Sequence, residues 1–321
     1  MKRVLVTGAA GFLGSHLSAR HIQMGDQVIG IDDFTSSSPM SKHLAALVRE
    51  PNFSFIEASI YEDRFRKHDG VKGCDLIYNF ACPASPPRYQ EMPIHTMMTC
   101  VVGTENVLSV AERDGAIVVH ASTSEVYGDP IVSPQPETYR GQVNSYGPRA
   151  CYDEGKRAAE ALCYDFKNQH DVDARLVRIF NTYGPHMDPY DGRVVTNFIR
   201  QALANEPLTI YGDGTQTRSF CYVDDLIDGI IKMGQLPSNP GTPINLGNPT
   251  EFTMNQLANL VLSMTDRNID SCVYRSLPTD DPLQRRPDIT LAKQVLGWQP
   301  RITLEQGLGK TISYFRALSS S

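Results

Sequence analysis

The first 33 residues carry the feature that most limits how this chain can fold. A β-branched run at positions 2–7 leads into the turn Gly8-Ala9-Ala10-Gly11-Phe12-Leu13-Gly14, and a helical pattern follows at positions 15–24. A second apolar run at positions 27–31 ends in Asp32 and Asp33. Strand, glycine turn, helix, strand and acid in this order predict a βαβ unit that binds a dinucleotide. The glycines let the backbone approach a pyrophosphate, and the helix N-terminus offers it free N–H groups.

Asp32 indicates which dinucleotide this unit prefers. An acid at the end of the second strand can accept hydrogen bonds from both ribose hydroxyls, and it repels a 2′-phosphate, so NAD is favoured over NADP. The spacing of Gly8, Gly11 and Gly14 differs from the common Gly-x-Gly-x-x-Gly and points to a particular subclass of dinucleotide fold. The alternative is a glycine turn that binds nothing, and the flanking strand, helix and acid argue against it.

Strand-like apolar runs continue to alternate with helical patterns. The later strands are expected at residues 53–57, 75–80, 116–120 and 174–179, and the later helices at 94–113 and 151–169. This alternation predicts an α/β fold with a Rossmann-type doubly wound parallel sheet, whose ligands bind beyond the carboxyl ends of the strands. After about Asn181, prolines and glycines separate shorter elements, which predicts a smaller α+β lobe. We therefore expect an NAD-binding domain at 1–180 and a substrate-binding lobe at 181–321, with some segments of the lobe returning to the sheet.

Tyr152 and Lys156, four residues apart, lie in the second of these helical patterns. Residues at i and i+4 share one helical face, and a nearby ammonium group favours a phenolate. A tyrosine activated in this way can take a proton from an alcohol near neutral pH. By itself the pair is weak, because both residue types are common on helices. Thr123 and Glu125 follow the run that starts at Ala116, so they belong on the ligand-binding rim of the predicted sheet.

Composition and charge exclude several classes of function. The chain has 321 residues, a net charge of −6 and a pI near 5.8, so it lacks the basic character typical of nucleic-acid binding. No apolar run reaches the length of about 18 residues that a membrane span needs. The seven cysteines form no Cys-x-x-Cys pair, which is typical of a reduced, cytoplasmic protein. The eight histidines are scattered, so no metal site is expected.

The glycine turn and the Tyr152/Lys156 pair together resemble those of the extended short-chain dehydrogenase/reductase family. Two segments are typical of its UDP-glucuronate decarboxylase branch, Ala-Cys-Pro-Ala-Ser-Pro at 81–86 and Gly-Pro-Arg-Ala-Cys-Tyr-Asp-Glu-Gly-Lys-Arg at 147–157. The resemblance spans almost the whole chain. Its segments are residues 7–17, 81–86, 121–130, 147–163, 179–185, 191–198, 206–220, 245–249, 280–289 and 296–300.

The resemblance implies decarboxylation of UDP-glucuronate to UDP-xylose, with a bound NAD that is regenerated in each turnover. NAD+ would take a hydride from C4 of the glucuronate while Tyr152 removes the proton of the 4-hydroxyl, its pKa lowered by Lys156 and by the nicotinamide charge. Thr123 would share a hydrogen bond with that hydroxyl. The 4-ketone makes the C5 carboxylate a β-keto acid that loses CO2, after which C5 is protonated and the hydride returns to C4.

Glu125 separates the branches of the family. The sugar epimerases usually carry no acid at this position, and the 4,6-dehydratases carry an Asp-Glu pair where this chain has Ser124-Glu125. The missing aspartate counts against dehydration. A buried glutamate beside the substrate carboxylate would favour loss of CO2, and it could also hold a water that protonates C5. The alternative is a glutamate that only caps a neighbouring helix.

The resemblance also assigns residues to the reaction, the cofactor and the substrate. The catalytic set is Thr123, Glu125, Tyr152, Lys156 and Arg285. The cofactor set is Gly8, Gly11, Phe12, Leu13, Gly14, Asp32, Asp33, Phe34, Ser59, Ile60, Ala81, Pro83, Tyr152 and Lys156. The substrate set is Arg88, Tyr89, Thr123, Asn181, Arg193, Asn197, Tyr211, Arg218 and Arg285. Two of these, Arg218 and Arg285, match positions that meet the diphosphate or the sugar acid, since forked guanidinium donors suit phosphate and carboxylate.

Several positions depart from the family pattern. Cys100 replaces the asparagine that usually precedes x-x-Gly-Thr, so the hydrogen bonds of that asparagine are lost or replaced. Ser59 replaces an aspartate that usually contacts adenine. These changes bear on adenosine affinity and on substrate detail, and they leave the residues of hydride transfer in place.

Alternatives stay open at the level of sequence. A UDP-glucuronate 4-epimerase would share the oxidation at C4 and keep the carboxylate, and other nucleotide-sugar epimerases or dehydratases are more distant candidates. A non-catalytic nucleotide-binding scaffold would keep the fold, but the intact Thr123, Tyr152 and Lys156 argue against it. Dimers of the family pair the helices near 94–113 and 151–169 into a four-helix bundle, so the resemblance implies a homodimer.

Overall fold

The computed structural model describes residues 1–39, 41–266, 272–277 and 284–319 of the chain. Residues 280–283, which belong to one of the segments that carry the family resemblance, lie outside the described part.

The described elements alternate strand and helix from the first residues onward. The strands are β1 (Arg3–Thr7), β2 (Gln27–Asp32), β3 (Phe53–Glu57), β4 (Leu76–Asn79), β5 (Ile117–Thr123), β6 (Ala174–Ile179), β7 (Thr182–Tyr183), β8 (Leu208–Tyr211), β9 (Thr217–Ser219), β10 (Cys221–Tyr222), β11 (Ile244–Leu246), β12 (Glu251–Thr253), β13 (Cys272–Arg275) and β14 (Gln284–Arg285). The helices are α1 (Phe12–Gln23), α2 (Lys42–Leu47), α3 (Asp63–Lys67), α4 (Pro86–Glu91), α5 (Pro93–Met98), α6 (Thr104–Asp114), α7 (Ala150–His170), α8 (Val194–Leu203), α9 (Val223–Gln235), α10 (Met254–Met264), α11 (Thr290–Leu296) and α12 (Leu304–Ser319).

A seven-stranded sheet with the order β11-β6-β5-β4-β1-β2-β3 forms the centre of the molecule. Every pairing in it is parallel. Its strands are buried on both faces: in β1, Val4 and Val6 pack into one hydrophobic cluster, and Leu5 between them packs into the other. Helices therefore cover both faces, as parallel sheets require. The predicted Rossmann-type doubly wound α/β sheet is confirmed.

The turn between β1 and α1 depends on its glycines. Gly8 has a φ of +72°, and a Cβ there would come within 2.7 Å of the carbonyl oxygen of Phe80. A Cβ on Gly14 would clash with the carbonyl oxygen of Gly8. Because no side chain fits at either position, α1 begins directly against the end of the strand. Its first N–H groups point to the edge where the parallel strands end.

The second half of the chain builds a smaller α+β lobe around short strands. Within the described residues, β7 pairs with β10, β8 with β13, and β9 with both β12 and β14. The parallel pairing of β14 with β9 sets Arg285 beside Arg218. The strand β11 leaves this lobe and joins the main sheet next to β6. Residues of the lobe such as Tyr211 and Arg218 line the same cavity as the carboxyl ends of the main strands.

One helix differs from its predicted form. The segment expected as a single helix over 94–113 is divided into α5, a π-helical turn at Thr99–Gly103, and α6. At the turn, Cys100 packs so closely on α7 that a Cβ on Gly155 would lie 3.0 Å from its Cβ. Such single π-helical turns occur within longer α-helices, frequently at functional sites. In the described part of the chain, no helix is long and apolar enough to cross a bilayer.

Candidate active site

An open cavity of about 960 Å³ runs along the carboxyl ends of the main strands and under the smaller lobe. It joins the glycine turn at one end to Tyr152 and Arg285 at the other. The structure brings most of the predicted site residues to its wall. They are Gly8, Gly11, Phe12, Leu13, Gly14, Asp32, Asp33, Ile60, Ala81, Pro83, Arg88, Thr123, Glu125, Tyr152, Lys156, Asn181, Arg193, Asn197, Tyr211, Arg218 and Arg285.

Three predicted site residues lie off this wall. Phe34 adopts a left-handed φ of +58° and packs its ring against Phe55 at 5.4 Å. Ser59 lines a smaller adjoining pocket, where its buried hydroxyl has no hydrogen-bond partner among the described residues. Tyr89 is 1% exposed and stacks on Tyr152, with ring centres 5.0 Å apart and planes 3° from parallel.

The glycine turn and Asp32 form one end of the cavity. Gly11 precedes α1 and provides no side-chain cap, so the N–H groups at the start of the helix remain available to an anion. The Asp32 carboxylate accepts hydrogen bonds from the N–H of Ala10 at 3.0 Å, the N–H of Phe34 at 2.9 Å and the hydroxyl of Ser37 at 2.7 Å. Burial raises the pKa of Asp32, and these hydrogen bonds oppose the rise. A carboxylate has about four acceptor positions, so one remains for a ligand hydroxyl.

Tyr152 and Lys156 lie on α7, one turn apart, and both are buried. The Lys156 Nζ donates to the carbonyl oxygen of Ala121 at 2.8 Å and lies 5.8 Å from the centre of the Tyr152 ring. Thr123 ends β5, and its hydroxyl accepts the N–H of Glu125 at 3.2 Å. A hydroxyl, a phenol and an ammonium group thus converge on the position where an alcohol would be oxidised.

The predicted lowering of the pKa of Tyr152 by Lys156 is not found in the protein alone. Burial raises the pKa of Tyr152 well above its ordinary value, and the nearby thiols of Cys82 and Cys100 add to the rise. A hydrogen bond with Thr123 opposes it only in part. The prediction concerned Lys156 together with the nicotinamide charge, and Lys156 by itself donates to a backbone carbonyl rather than to the phenol. A phenolate here requires a further positive charge in the cavity.

Glu125 is clamped by two arginines. Arg285 donates from Nη1 to Oε1 at 2.6 Å and from Nη2 to Oε2 at 2.7 Å, and Arg149 donates from Nη2 to Oε2 at 2.8 Å. All three side chains are largely buried. Although burial alone would raise it, the charges of Arg285 and Arg149 lower the pKa of Glu125 to about 2. Glu125 is therefore ionised, and it is not the simple helix cap considered as an alternative.

Two residues of this cluster were not among the predicted site residues. Arg149 lies in the family-typical segment at 147–157, and this segment could have identified it. The direction in which its side chain points depends on the fold and cannot be predicted from the segment alone. Asp153 follows Tyr152, and burial and then the charge of Glu125 raise its pKa to about 7. The position of the Arg149 side chain and the raised pKa of Asp153 do not follow from sequence spacing, because both depend on groups that the fold brings together from distant segments.

The remaining predicted substrate residues lie on the side of the smaller lobe. Arg193 Nε lies 3.2 Å from the Asp191 carboxylate, and the Asn197 amide donates to the carbonyl oxygen of Gly192 at 2.9 Å. Tyr211, at the end of β8, is 43% exposed and so presents its ring to the cavity and to solvent. The Nε–H of Arg285 is buried without a hydrogen-bond partner among the described residues, which leaves a donor for a ligand oxygen.

Fold and site together define a dinucleotide-dependent enzyme of the extended short-chain dehydrogenase/reductase class. The chain belongs to the NAD dependent epimerase/dehydratase family, whose model matches residues 4–247. The predicted family is thus confirmed.

The proteins to which the chain is similar include curated decarboxylases and a solved epimerase. The chain is 47% identical over 315 residues to UDP-glucuronic acid decarboxylase 1 of Xenopus tropicalis, covering 98% of this chain and 72% of that one. It is also 47% identical over 307 residues to UDP-glucuronic acid decarboxylase 3 of Arabidopsis thaliana, covering 95% and 86%. A solved UDP-glucuronic acid 4-epimerase from Bacillus cereus, in complex with UDP-glucuronic acid and NAD, superposes with a TM-score of 0.87 at 27% identity, covering 98% and 99%.

The residues at the glycine end fit NAD, the cofactor of the family. The turn leaves no room for side chains, the uncapped helix N-terminus suits a pyrophosphate, and Asp32 retains one acceptor position for a ribose hydroxyl. The predicted cofactor is confirmed at the level of the family. Within the described residues, no group of three or more His, Cys, Asp or Glu side chains is arranged to hold a metal ion.

Proposed function

We propose that this chain is an NAD-dependent decarboxylase that converts UDP-glucuronate to UDP-xylose. The observation that carries the proposal is the pairing of Glu125 with Arg285 and Arg149 in the same cavity as Tyr152. A redox tyrosine alone serves any alcohol oxidation, whereas guanidinium groups beside it suit a sugar that carries a carboxylate. The identity of 47% to UDP-glucuronic acid decarboxylases supports the same assignment.

The first step needs a base for the 4-hydroxyl of the sugar. When bound, NAD would accept the hydride of C4 and return it after the carboxylate has left. Tyr152 takes the hydroxyl proton, and Thr123 orients that hydroxyl through its own. Because burial in the protein raises the pKa of Tyr152, the positive charge of the bound nicotinamide, together with that of Lys156, has to favour the phenolate.

Loss of CO2 then follows from the chemistry of the substrate. The bond between C5 and the carboxylate breaks, its electron pair moves into the enolate of the 4-ketone, and the Tyr152 hydroxyl can donate to the enolate oxygen. Arg285 has one buried N–H to spare beyond its two bonds to Glu125, so it can orient the leaving carboxylate. We propose this orienting role for Arg285 rather than a direct contact with the diphosphate.

Glu125 serves this reaction as an anion. With a pKa of about 2 it holds no proton at neutral pH, so it cannot itself protonate C5. The arginines occupy three of its roughly four acceptor positions, which leaves one for a water. We infer that this water delivers the proton to C5. Release of CO2 with uptake of one proton then balances the conversion of glucuronate to xylose.

The second candidate is a UDP-glucuronate 4-epimerase, which the likeness to the Bacillus cereus enzyme favours. An epimerase would use the same base and would keep the carboxylate. Incubation of the purified chain with UDP-glucuronate separates the two by mass: CO2 and a UDP-pentose support the decarboxylase, and a UDP-hexuronate of unchanged mass supports the epimerase. Turnover of a different nucleotide sugar with neither product would contradict both.

We propose the predicted division of labour between the two parts of the chain. Residues 1–180 would hold NAD, and residues 181–321 would hold the nucleotide sugar. Arg88, Asn181, Arg193, Asn197, Tyr211 and Arg218 remain predicted substrate residues, whereas Tyr89 is buried behind Tyr152 and lies off the cavity wall. Supporting this assignment, the other six residues line the same cavity as the glycine turn. Saturation-transfer measurements with UDP and with NAD on variants of each part would test it.

We also propose a homodimer through α5 and α7. Ile94 and Met98 on α5 are 80% and 40% exposed, and Tyr164 on α7 is 67% exposed, an apolar surface that suits a helical partner. Light scattering should give twice the chain mass for the wild type and a single chain mass for Ile94→Glu with Tyr164→Glu. The control Ile131→Glu replaces an isoleucine that is 76% exposed outside these helices, and it should leave the mass unchanged.

A reducing, cytoplasmic location is proposed on the state of the cysteines. All seven are free thiols, and four of them are buried. Fractionation of cells that express the native chain would test this location.

A further inference from the structure

Two cysteine sulfurs meet beside the cofactor cavity. Cys82 lies between β4 and α4 and lines the cavity, and Cys100 lies in the π-helical turn Thr99–Gly103. Their Sγ atoms are 3.3 Å apart. Among the seven cysteines, all within the described residues, this is the one pair of sulfurs in contact. The proposed reaction uses neither thiol, so the pair requires a separate explanation.

We propose that Cys82 and Cys100 form a reversible disulfide site, which a small peroxide reaches through the cofactor cavity. A disulfide needs an S–S distance of about 2.05 Å, so the sulfurs have to approach by a little more than 1 Å. The segment that carries Cys82 has no regular secondary structure and can supply this movement. Cys100 is 2% exposed, so the cavity beside Cys82 provides the route for the peroxide.

The local charges favour a thiolate in this pair. The hydrogen bond from Cys82 and then the charge of Lys156 lower the pKa of Cys100, whereas burial raises the pKa of Cys82. Burial likewise raises the pKa of Cys163 and of Cys221. A thiolate is the form that reacts with peroxides, so the pair is set apart from the other buried thiols.

The oxidation balances with one peroxide. The Cys100 thiolate attacks the peroxide that has entered beside Cys82, so that an S–O bond forms and the O–O bond breaks. The hydroxide that leaves takes the proton of Cys82 and becomes water. The Cys82 thiolate then attacks the sulfenic sulfur of Cys100, the S–S bond forms, and the second hydroxide leaves and is protonated. Two thiols and one peroxide thus give one disulfide and two waters.

The disulfide should weaken NAD binding. Cys82 lies between Ala81 and Pro83, two residues of the cavity wall that are predicted to contact the cofactor. Its movement toward Cys100 would shift both. Conversely, bound NAD should cover Cys82 and slow its oxidation, because only the free form of the protein would admit the peroxide.

The test measures the mass and the thiol content of the full chain after exposure to hydrogen peroxide. We expect a loss of two hydrogens, two fewer alkylated thiols after denaturation, and one peptide that links Cys82 to Cys100. Dithiothreitol should restore all seven thiols. NAD at about 100 times its Kd should slow formation of the link about a hundredfold. These readouts do not depend on turnover, so failure of the proposed decarboxylase activity leaves them unaffected.

Two variants control the experiment. Cys82→Ser should lose the link and accumulate oxygen on Cys100, and Cys82→Ala serves if the serine variant does not fold. Cys163→Ser removes a buried thiol of α7 and should leave the link as in the wild type. The proposal is overturned if the wild type keeps all seven thiols, if the link joins other cysteines, or if saturating NAD leaves its rate unchanged.

Discussion

Two buried acids lie in the same cavity, and their pKa values are shifted in opposite directions. Burial raises the pKa of Tyr152, which meets a hydroxyl and a stacked ring, and within the described residues no charged group donates a hydrogen bond to it. Glu125 is buried as well, yet Arg285 and Arg149 lower its pKa to about 2. The difference lies in preorganisation: the Glu125 half of the site carries its charges before any ligand arrives, whereas the Tyr152 half depends on a charge that the cofactor brings.

This contrast assigns a different task to each half. In the proposed reaction Tyr152 gains and loses a proton in each turnover, and a fixed ion pair would prevent this. In the same reaction Glu125 stays ionised beside guanidinium groups that would orient the substrate carboxylate, and a fixed ion pair favours this state. Variants of the two halves should therefore slow different steps of the reaction.

The largest effect is expected for Tyr152→Phe, which removes the proposed base of the Tyr152 half. Because general acid–base catalysis contributes about 10²- to 10⁴-fold, kcat should fall by about a thousandfold. Binding of NAD and the melting temperature should stay near those of the wild type. The matched control is Tyr164→Phe on the same helix, where the ring is 67% exposed and kcat should not change. Undiminished turnover of Tyr152→Phe would refute the proposed base.

Glu125→Gln removes the negative charge of the Glu125 half and should change the product of the reaction. Oxidation at C4 would continue, while release of CO2 should slow by about a hundredfold, the scale expected for one preorganised electrostatic group. A UDP-4-keto-hexuronate, lighter than the substrate by two hydrogens, should then build up to no more than the amount of bound cofactor, which would retain the hydride, and be detected by mass spectrometry.

Glu160→Gln is the control for this change, since Glu160 forms a largely buried ion pair with Arg178 at 2.7 Å, away from the cavity wall. Breaking either pair should cost about 3–5 kcal/mol of unfolding free energy. Only Glu125→Gln should build up the keto sugar. Equal accumulation in both variants would mean that lost stability, rather than the site, is responsible.

The same two halves differ in how far the sequence predicts them. The glycine turn, Thr123, Tyr152 and Lys156 follow from local spacing, because strand ends and helical turns place such residues without knowledge of the whole fold. The clamp on Glu125 could not be derived in this way. It joins a turn after β5 to Arg285, 160 positions away, through the pairing of β14 with β9. The resemblance named Arg285 but gave it a phosphate or a sugar acid as its partner, and it left Arg149 out.

The pKa of Tyr152 marks a second limit of sequence reasoning. The i,i+4 spacing correctly places Lys156 on the same face, yet it cannot tell where the ammonium donates. The carbonyl oxygen of Ala121, near the carboxyl end of the inner strand β5, accepts that hydrogen bond. Burial of the phenol then dominates, and burial depends on the packed cavity as a whole.

Arg149→Met should have a smaller effect, visible in the dependence on pH. Glu125 titrates near 4.5 in an unfolded chain and near 2 in the fold, so its stabilisation is complete above about 4.5 and is lost as the pH falls toward 2. Without Arg149 the pKa of Glu125 in the folded protein rises. The stabilisation from its ionised form therefore becomes smaller, and the acid limb of kcat/KM moves to higher pH. Turnover at neutral pH should fall by about tenfold, the effect of about 1.4 kcal/mol.

Arg149→Lys keeps the charge and should restore the acid limb in part, while Arg178→Met removes a matched arginine outside the cavity. The control variant should lose stability without any shift of the acid limb. A purely structural role for Arg149 would instead give the two Met variants the same pH profile.

The smallest effect is expected for Tyr89→Phe, which tests whether the Tyr89 hydroxyl, behind the Tyr152 ring, contributes to the site. The Tyr89 hydroxyl is buried without a hydrogen-bond partner among the described residues, so its removal should leave the unfolding free energy unchanged or raise it. Because Tyr89 lies off the cavity wall, KM for the nucleotide sugar should also stay unchanged. Tyr89→Leu removes the stacked ring as well and should cost about 1 kcal/mol more. A clear rise of KM in Tyr89→Phe would mean that Tyr89 contacts the nucleotide sugar and belongs to the substrate site.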